Sequence, residues 1–222
     1  MKFVSEINSN TVTPVTDLPE VIQKLNPESW PQGYPVPMAE LVFIKLLYWG
    51  FDDQEHVGEL IAHRELAQDL LEIFLELHLN HFPIEQMRPV WEFNNSDDAS
   101  MEANNTSAFN CREVTGCPGI FSQHAYGRAI DINPKINPYV KESKNLVLPE
   151  SGREFVDREK PSKGKISHGS LPYTLFSTRG WSWGGNWNDL QDYQHFEKRA
   201  EDEIRPKPSS FSPAKILDGR ID

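Results

Sequence analysis

Cysteine is scarce in this sequence, which has only two among its 222 residues, Cys111 and Cys117. As zinc ligands they lack a second pair of cysteines or histidines nearby, so a structural or incidental role is favoured over a cysteine-built zinc site. The two residues enclose the short segment CREVTGC. This segment could close as a disulfide in an oxidising compartment or hold two free thiols in the cytoplasm, and two cysteines do not decide between these alternatives.

Long hydrophobic runs and clusters of positive charge are also missing. The longest apolar run, LVFIKLLYWGF, is interrupted by Lys45 and is far shorter than the ~20 residues that a transmembrane helix needs. The formal net charge is −11 and there is no patch rich in lysine or arginine, so nucleic acid is excluded as an expected partner. The segment MKFVSEINSNTVTP has no apolar region of the secretory type, so no export signal is expected and localisation stays open.

The composition predicts one folded domain with an arm and a tail. A content of 38% hydrophobic and 11% aromatic residues is enough for one sizeable core. Residues 1–38 are rich in proline and are expected to form an extended arm rather than part of a core, with a short helix at LPEVIQKL. The domain is expected to cover residues 39–200. Residues 201–222 are polar and broken by proline, so an extended tail is predicted there.

The hydrophobic pattern predicts an α+β fold. A strand is expected from Leu41 through LVFIKLLYWGFD, and a second at MRPVWEF. Between them an apolar stripe at helical spacing predicts a helix over Glu65–Leu79, which Pro83 prevents from continuing; the stripe consists of Leu66, Leu70, Phe74 and Leu77. The asparagine-rich segment NNSDDASMEANNTSAFNCR is expected to be a long ordered loop near the site. We therefore expect a small, mainly antiparallel sheet with this helix packed on one face.

The segment SQHAYGRAIDIN, residues 122–133, places His124 and Asp131 seven positions apart around a glycine. It is either a turn capped by polar residues or half of a metal site that is completed elsewhere in the chain. Of the later histidines, His168 lies in KGKISHGS and His195 in the strand-like segment WNDLQDYQHFEK. His195 is the better candidate because Asp192 precedes it by three residues, which places a carboxylate beside the metal.

Ligands of these types support hydrolytic chemistry. Three protein ligands leave the fourth position of a zinc ion for water, and the metal lowers the pKa of that water towards neutrality. Asp192 is the candidate general base that takes the proton and returns it to a leaving amine. Arg112 is the candidate cation that stabilises the developing oxyanion.

Several aromatic residues lie close to these candidates in the sequence. Trp181, Trp183 and Trp187 could be core aromatics or form a wall of a substrate groove, and the sequence does not choose between the two. Of the three, Trp181 is the candidate substrate contact. Tyr126 flanks the predicted ligand His124 and is a second candidate contact, although packing is the favoured role for a tyrosine there.

At these residues the sequence resembles a known family. SQHAYGRAIDIN fits the S-x-H-x-x-G-x-A-x-D pattern of the M15 zinc peptidases, which include D-alanyl-D-alanine carboxypeptidases and L-alanyl-D-glutamate peptidases. The segment GWSWGGNW followed by DYQHFE is similar to the second motif of the VanY-like and endolysin-like branch, and NNTSAFNCR resembles the segment that precedes the first motif. The resemblance covers the chain from about Leu41 to Lys198. It implies a fold like that of the hedgehog and D,D-peptidase domains.

The resemblance also implies roles for individual residues. His124, Asp131 and His195 would hold Zn²⁺, and Asp192 would act as general base. Arg112 would polarise the scissile carbonyl or bind substrate. Ser122 would form a hydrogen bond with a carboxylate or backbone group of the substrate. Some family members have glutamate where this chain has Asp192, so the shorter side chain requires a closer approach to the site.

The function expected from this resemblance is hydrolysis of peptidoglycan stem peptides by a monomeric zinc peptidase, with removal of a terminal D-alanine preferred. The first alternative is an endopeptidase that cuts between L-alanine and D-glutamate. A zinc-containing wall-binding module without turnover is an alternative of another class, against which the presence of Asp192 argues. An iron oxygenase is disfavoured because the two ligands of the first motif lie too far apart in sequence. The substrate favours the cell envelope or periplasm as the location.

Overall fold

The computed structural model describes residues 10–25, 33–114, 117–201 and 203. Within these ranges the chain forms several small sheets and a few helices, which confirms the predicted α+β class. The helices are α1 (Pro19–Leu25), α2 (Ala67–Leu79), α3 (Asp97–Glu102) and α4 (Leu171–Ser177). None of the described helices has both the length and the apolar character to cross a membrane.

The strands follow in chain order, and most are short. They are β1 (Thr11–Pro14), β2 (Leu41–Gly50), β3 (Glu55–His63), β4 (Pro83–Ile84), β5 (Gln86–Met87), β6 (Asn105–Thr106), β7 (Glu113–Val114), β8 (Cys117–Phe121), β9 (Ala129–Asp131), β10 (Tyr139–Lys141), β11 (Leu146–Leu148), β12 (Ser182–Trp183), β13 (Gln191–Asp192) and β14 (His195–Glu197).

The largest sheet is built on the long hairpin of β2 and β3. These strands pair antiparallel from Leu41 opposite His63 to Trp49 opposite Glu55, and β1 and β4 add to β2. The strand predicted from Leu41 is therefore confirmed. Helix α2 packs against this sheet, and its predicted stripe is buried, with Leu70 and Phe74 almost fully enclosed. The helix begins with a 3-10 turn at Arg64–Leu66, so its α-helical part starts at Ala67.

Two smaller sheets carry the polar residues of interest. One has the strand order β12-β14-β9 and the other has the order β11-β10-β13, and the pairs named in these two sheets are antiparallel. Strands β7 and β8 form a separate antiparallel hairpin. These short elements contain the sequence motifs at 122–133 and 181–197, so the two motifs are brought together by strand pairing.

Two predictions about the middle of the chain were wrong. The segment MRPVWEF is not a strand, because only Gln86–Met87 pairs and Val90–Phe93 forms a 3-10 helix directly after Pro89. The asparagine-rich segment is not simply a loop, because it contains α3. Ser96 caps this helix by accepting a hydrogen bond from the backbone N–H of Ala99 at 3.1 Å. The sequence SDDASME carries that capping signal, and the high polarity of the segment masked it.

The predicted arm takes part in the core. Helix α1 lies where LPEVIQKL predicted it, and β1 pairs with β2. Val15, Val21 and Leu25 are buried in one hydrophobic cluster with Leu41 and Phe43. The arm therefore covers one side of the largest sheet, which its proline content did not indicate. Residues 1–9 and most of the predicted tail lie outside the described residues.

Candidate metal centre and active site

Strand register places two of the predicted metal ligands side by side. Asp131 ends β9 and His195 begins β14, and the two residues are directly opposite each other in the antiparallel pair. Residues opposite each other in such a pair project from the same face of the sheet, with Cβ atoms about 4.5–5.5 Å apart. The His195 Nδ1 and Asp131 Oδ1 atoms lie 3.0 Å apart. The sheet itself therefore fixes this half of the site.

A tight turn positions the third predicted ligand, His124. The residue lies in the 3-10 helix Gln123–Tyr126, at whose start the Ser122 Oγ accepts a hydrogen bond from the backbone N–H of His124 at 3.3 Å. Gly127 ends the turn with a φ of +67°, and a Cβ atom there would lie 2.6 Å from the backbone nitrogen of His63. The serine and the glycine of the first motif are thus explained by local backbone geometry.

The three donor groups are close enough together to share one metal ion. The Nε2 atom of His124 lies 3.1 Å from the Asp131 Oδ2 and 3.1 Å from the His195 Nδ1. Zinc ligands at about 2.0–2.2 Å in a tetrahedron are separated by roughly 3.3–3.6 Å, so only a small expansion is required. All three side chains are buried. Among the described residues, this is the group that could hold a metal.

Outer hydrogen bonds fix which ring nitrogens face the shared space. The Nδ1 of His124 lies 2.6 Å from the backbone carbonyl of Ala108, to which it can donate, and this leaves the Nε2 lone pair for a metal. On the other side, the Nε2 of His195 lies 3.2 Å from the Oε2 of Glu197. Arg199 in turn donates to both carboxylate oxygens of Glu197, at 2.8 and 3.2 Å. This pattern of histidine ligands held by outer acceptors is typical of metal sites.

The electrostatics of this cluster favour a positive charge at its centre. Burial raises the pKa of Asp131, but the charge of His124 and the hydrogen bonds from both histidines outweigh it and bring that pKa well below its usual range. Burial lowers the pKa of His195, yet the hydrogen bonds to Asp131 and Glu197 raise it to about 10. The donor set therefore fits a cation.

Asp192 lies next to the triad on β13. Burial raises its pKa to about 6, with a further contribution from the charge of Asp131 and opposing contributions from His195 and Arg112. Its Oδ1 atom is enclosed and has no hydrogen-bond partner among the residues that the structure describes. A buried acceptor without a partner needs an explanation such as a bound water, and a carboxylate of raised pKa is suited to accept a proton from it.

The backbone of Asp192 is held by a glycine of the second motif. A Cβ atom on Gly184 would lie 2.6 Å from the backbone oxygen of Asp192 and 2.8 Å from its Cβ.

We expect Gly184→Ala to displace Asp192 and to lower kcat at least tenfold while the metal content stays unchanged, because a small misplacement of a catalytic group is costly. Steady-state kinetics with metal analysis test this. Gly180→Ala is the control for general backbone strain, because its φ of +80° disfavours alanine while the added Cβ would meet no atom closer than 3.9 Å. Equal loss in both variants would contradict the prediction.

A cavity of about 90 Å³ opens beside these residues. Since one water needs roughly 10–15 Å³ of such space, the cavity has room for several waters or for part of a peptide. Five of the predicted site residues line it, namely Arg112, Ser122, Asp131, Asp192 and His195. The triad and its neighbours are therefore accessible to a ligand from one side.

Arg112 is held in place by Asp97, a residue that sequence reasoning missed. The Nε of Arg112 lies 3.0 Å from the Asp97 Oδ2, and Asn110 donates to the Asp97 Oδ1 at 2.8 Å. Burial lowers the pKa of Arg112, but the charges of Asp97, Asp131 and Asp192 raise it overall. A positive charge therefore faces the cavity.

The two aromatic candidates, Trp181 and Tyr126, lie elsewhere. Trp181 is buried in the hydrophobic core, where its Nε1 donates to the Asp69 Oδ2 at 2.9 Å. Tyr126 packs against the other hydrophobic cluster. Neither is among the described residues that line the cavity, so the geometry does not favour the predicted substrate contacts. Trp187 does line it, with its ring centre 5.3 Å from that of His195, and it is the better-placed tryptophan.

The cysteines are both buried and free in the structure. Burial raises the pKa of Cys111 to about 11, which leaves its thiol protonated at neutral pH. Cys117 lines the cavity, but it does not belong to the group of potential metal ligands. Of the two alternatives left open by the sequence, the free thiols are therefore the ones observed.

Glu197 is another functional candidate that sequence reasoning missed. The sequence did indicate it, because Glu197 is two positions after the predicted ligand His195 on a strand, and side chains at that spacing project from the same face.

We expect Glu197→Gln to lower zinc affinity about 10- to 100-fold, since the amide holds the His195 ring less firmly. Competition with a chromogenic chelator measures this. Glu150→Gln is the matched control, because Glu150 also pairs with an arginine, at 2.7 and 2.9 Å, but on the surface. Equal affinities for Glu197→Gln and wild type would contradict the prediction.

The site combines a buried histidine and carboxylate group that could bind a metal with a neighbouring candidate base and a cation. Residues 115–198, somewhat less than half of the chain, match the family model described as D-alanyl-D-alanine carboxypeptidase. This match supports an M15 family peptidase and confirms the resemblance seen in the motifs. The comparisons with curated proteins and with solved structures gave no match.

Proposed function

We propose that this M15 peptidase is zinc-dependent and removes the terminal D-alanine from peptidoglycan stem peptides. The observation that carries the proposal is the convergence of His124, Asp131 and His195 on one point beside Asp192 and Arg112. The description of the matched family model supports the choice of a carboxypeptidase. The absence of sulfur donors from the group favours zinc, with two imidazoles and one carboxylate, over softer metals.

In this proposal each residue has a separate task. Zinc, when bound by His124, Asp131 and His195, supplies Lewis-acid polarisation and makes a water more acidic. Asp192 accepts the proton of the attacking water at its unpartnered Oδ1 and returns it to the amine that leaves. Arg112 donates to the carbonyl oxygen as negative charge develops there. Ser122 lines the same cavity and donates to a carboxylate or carbonyl of the bound peptide.

Mass spectrometry of defined stem pentapeptides incubated with zinc-loaded protein tests this function. The expected product is a tetrapeptide that has lost one terminal alanine. Cleavage between L-alanine and D-glutamate would replace the carboxypeptidase by the endopeptidase. If the peptide stays intact although one zinc is bound, the protein is a binding module rather than an enzyme. Asp192→Asn is the negative control in each case.

A further inference from the structure

One wall of the cavity is formed by a single face of the small sheet β11-β10-β13. Tyr139 of β10 is directly opposite Leu148 of β11 and Asp192 of β13, and all three residues line the cavity. Lys141 lies two positions after Tyr139 on β10, so it projects from the same face, and it also lines the cavity. The register of this sheet therefore places a lysine in line with the candidate base.

The ammonium group of Lys141 differs from the other cations of the cavity. Arg112 is paired with Asp97, and Arg199 is paired with Glu197 and Glu203. Lys141 is partly buried, yet its side chain has no hydrogen bond or ion pair with any residue in the described part of the chain. The ammonium group is therefore available to a ligand that carries the opposite charge.

The charge balance of the cavity points to an anionic ligand. Its described lining contains four carboxylates, namely Asp97, Asp131, Asp192 and Glu197, against three cationic side chains, namely Arg112, Lys141 and Arg199. A divalent metal on the triad makes this balance positive. The two arginines are paired with Asp97 and Glu197, and the charges of Asp131 and Asp192 offset those of a divalent metal. The one uncompensated positive charge among these lining residues therefore lies at Lys141.

We propose that Lys141 binds a carboxylate of the peptide substrate and thereby sets which bond reaches Asp192. Lys141 lies two residues along β10 from Tyr139, the residue opposite Asp192. Two strand residues span about 6.6–6.8 Å, which is roughly the length of one to two residues of a bound peptide. A carboxylate at that distance from the scissile bond is either the C-terminal carboxylate of the last D-alanine or the free α-carboxylate of a γ-linked glutamate. The assignment rests on the proposed function and adds the group that determines its specificity.

The test is a binding comparison with two pairs of ligands. Zinc-loaded Asp192→Asn protein, with and without Lys141→Met, is titrated calorimetrically with a stem pentapeptide and with the same peptide amidated at its C-terminus. The second pair differs only by amidation of the glutamate α-carboxylate. Lys141→Met is expected to weaken binding of the acid about 10- to 100-fold and to leave the matching amide unchanged. The ligand pair in which only the acid loses affinity shows whether Lys141 binds the C-terminal carboxylate or the glutamate α-carboxylate.

Two further variants separate the interaction from general effects. Lys141→Arg should retain most of the affinity for the acid, because it keeps the positive charge. Lys144→Met removes an exposed lysine of the following turn that does not line the cavity, and it should change nothing. Equal weakening of acid and amide, or no weakening at all, overturns the role of Lys141 while the peptidase activity of the wild type remains. If no stem peptide binds or is cleaved, the proposed function falls as well.

Discussion

Replacing Asp192 by asparagine is expected to lower kcat by about 10²–10⁴-fold without loss of the metal, because general base catalysis contributes about this much. Asparagine has nearly the same shape and keeps an acceptor oxygen, but it cannot take a proton. The measurement is a steady-state rate on the cleaved stem peptide, normalised to the zinc content of each preparation. Asp189→Asn is the matched control, since Asp189 is an exposed aspartate of the same segment that does not line the cavity.

The pH dependence gives an independent check on the same residue. Asp192 must be ionised to accept a proton, and burial raises its pKa to about 6. The rate should therefore fall towards acid pH, with a midpoint at or below about pH 6, because a bound cation lowers the pKa of a nearby carboxylate further. Asp192→Asn should lack this acid limb. A near-normal rate, or an unchanged acid limb, in the zinc-containing variant would assign the base to another group.

Loss of either histidine ligand is expected to abolish stoichiometric zinc binding. His124→Ala and His195→Ala each remove one of three donors, and we expect zinc affinity to fall by more than about 100-fold, beyond what loss of an outer partner costs. Metal analysis after dialysis against a weak chelator measures the remaining zinc. Peptide cleavage should disappear in proportion, since no other described group of side chains could take over the metal.

A control separates metal binding from folding in these variants. His168 is exposed and packs edge-on against Tyr173 and Trp183, with ring centres 4.9 and 5.3 Å away. His168→Ala should therefore keep both zinc and activity. Circular dichroism shows whether the two ligand variants are folded, and Asp131→Asn provides a third loss of metal with little change in side-chain volume. Full zinc content in folded His124→Ala or His195→Ala would remove that histidine from the site.

The site could be predicted where its residues are close in sequence or belong to one motif. His124 and Asp131 lie in one segment, and Asp192 and His195 in another, so spacing and residue type were sufficient to find them. Lys141 lies outside those motifs, and Trp187 lies in GWSWGGNW, where the sequence did not distinguish a core tryptophan from one that lines a groove. They reach the cavity through the pairing of β10 with β13 and through the loop between β12 and β13, and neither feature has a periodicity that a single sequence reveals.

The fold shows the same division between local and long-range information. The long hairpin strand and helix α2 have strong hydrophobic patterns, and both lie where they were expected. The short strands of two or three residues carry too little pattern to be recognised, and MRPVWEF has strand-like composition without a neighbouring strand. The conformation of these segments is determined by pairing with distant parts of the chain. The motifs could therefore be recognised in the sequence, but the small sheets that join them could not.

The most direct test of this account is a crystal structure of the zinc-loaded protein with anomalous data collected at the zinc absorption edge. We expect one strong peak about 2.0–2.2 Å from the His124 Nε2, an Asp131 carboxylate oxygen and the His195 Nδ1. Asp192 should lie outside the ligand set, close enough for a water to bridge it to the metal. A peak at another place, or full zinc loading without a peak at this triad, would contradict the central claim.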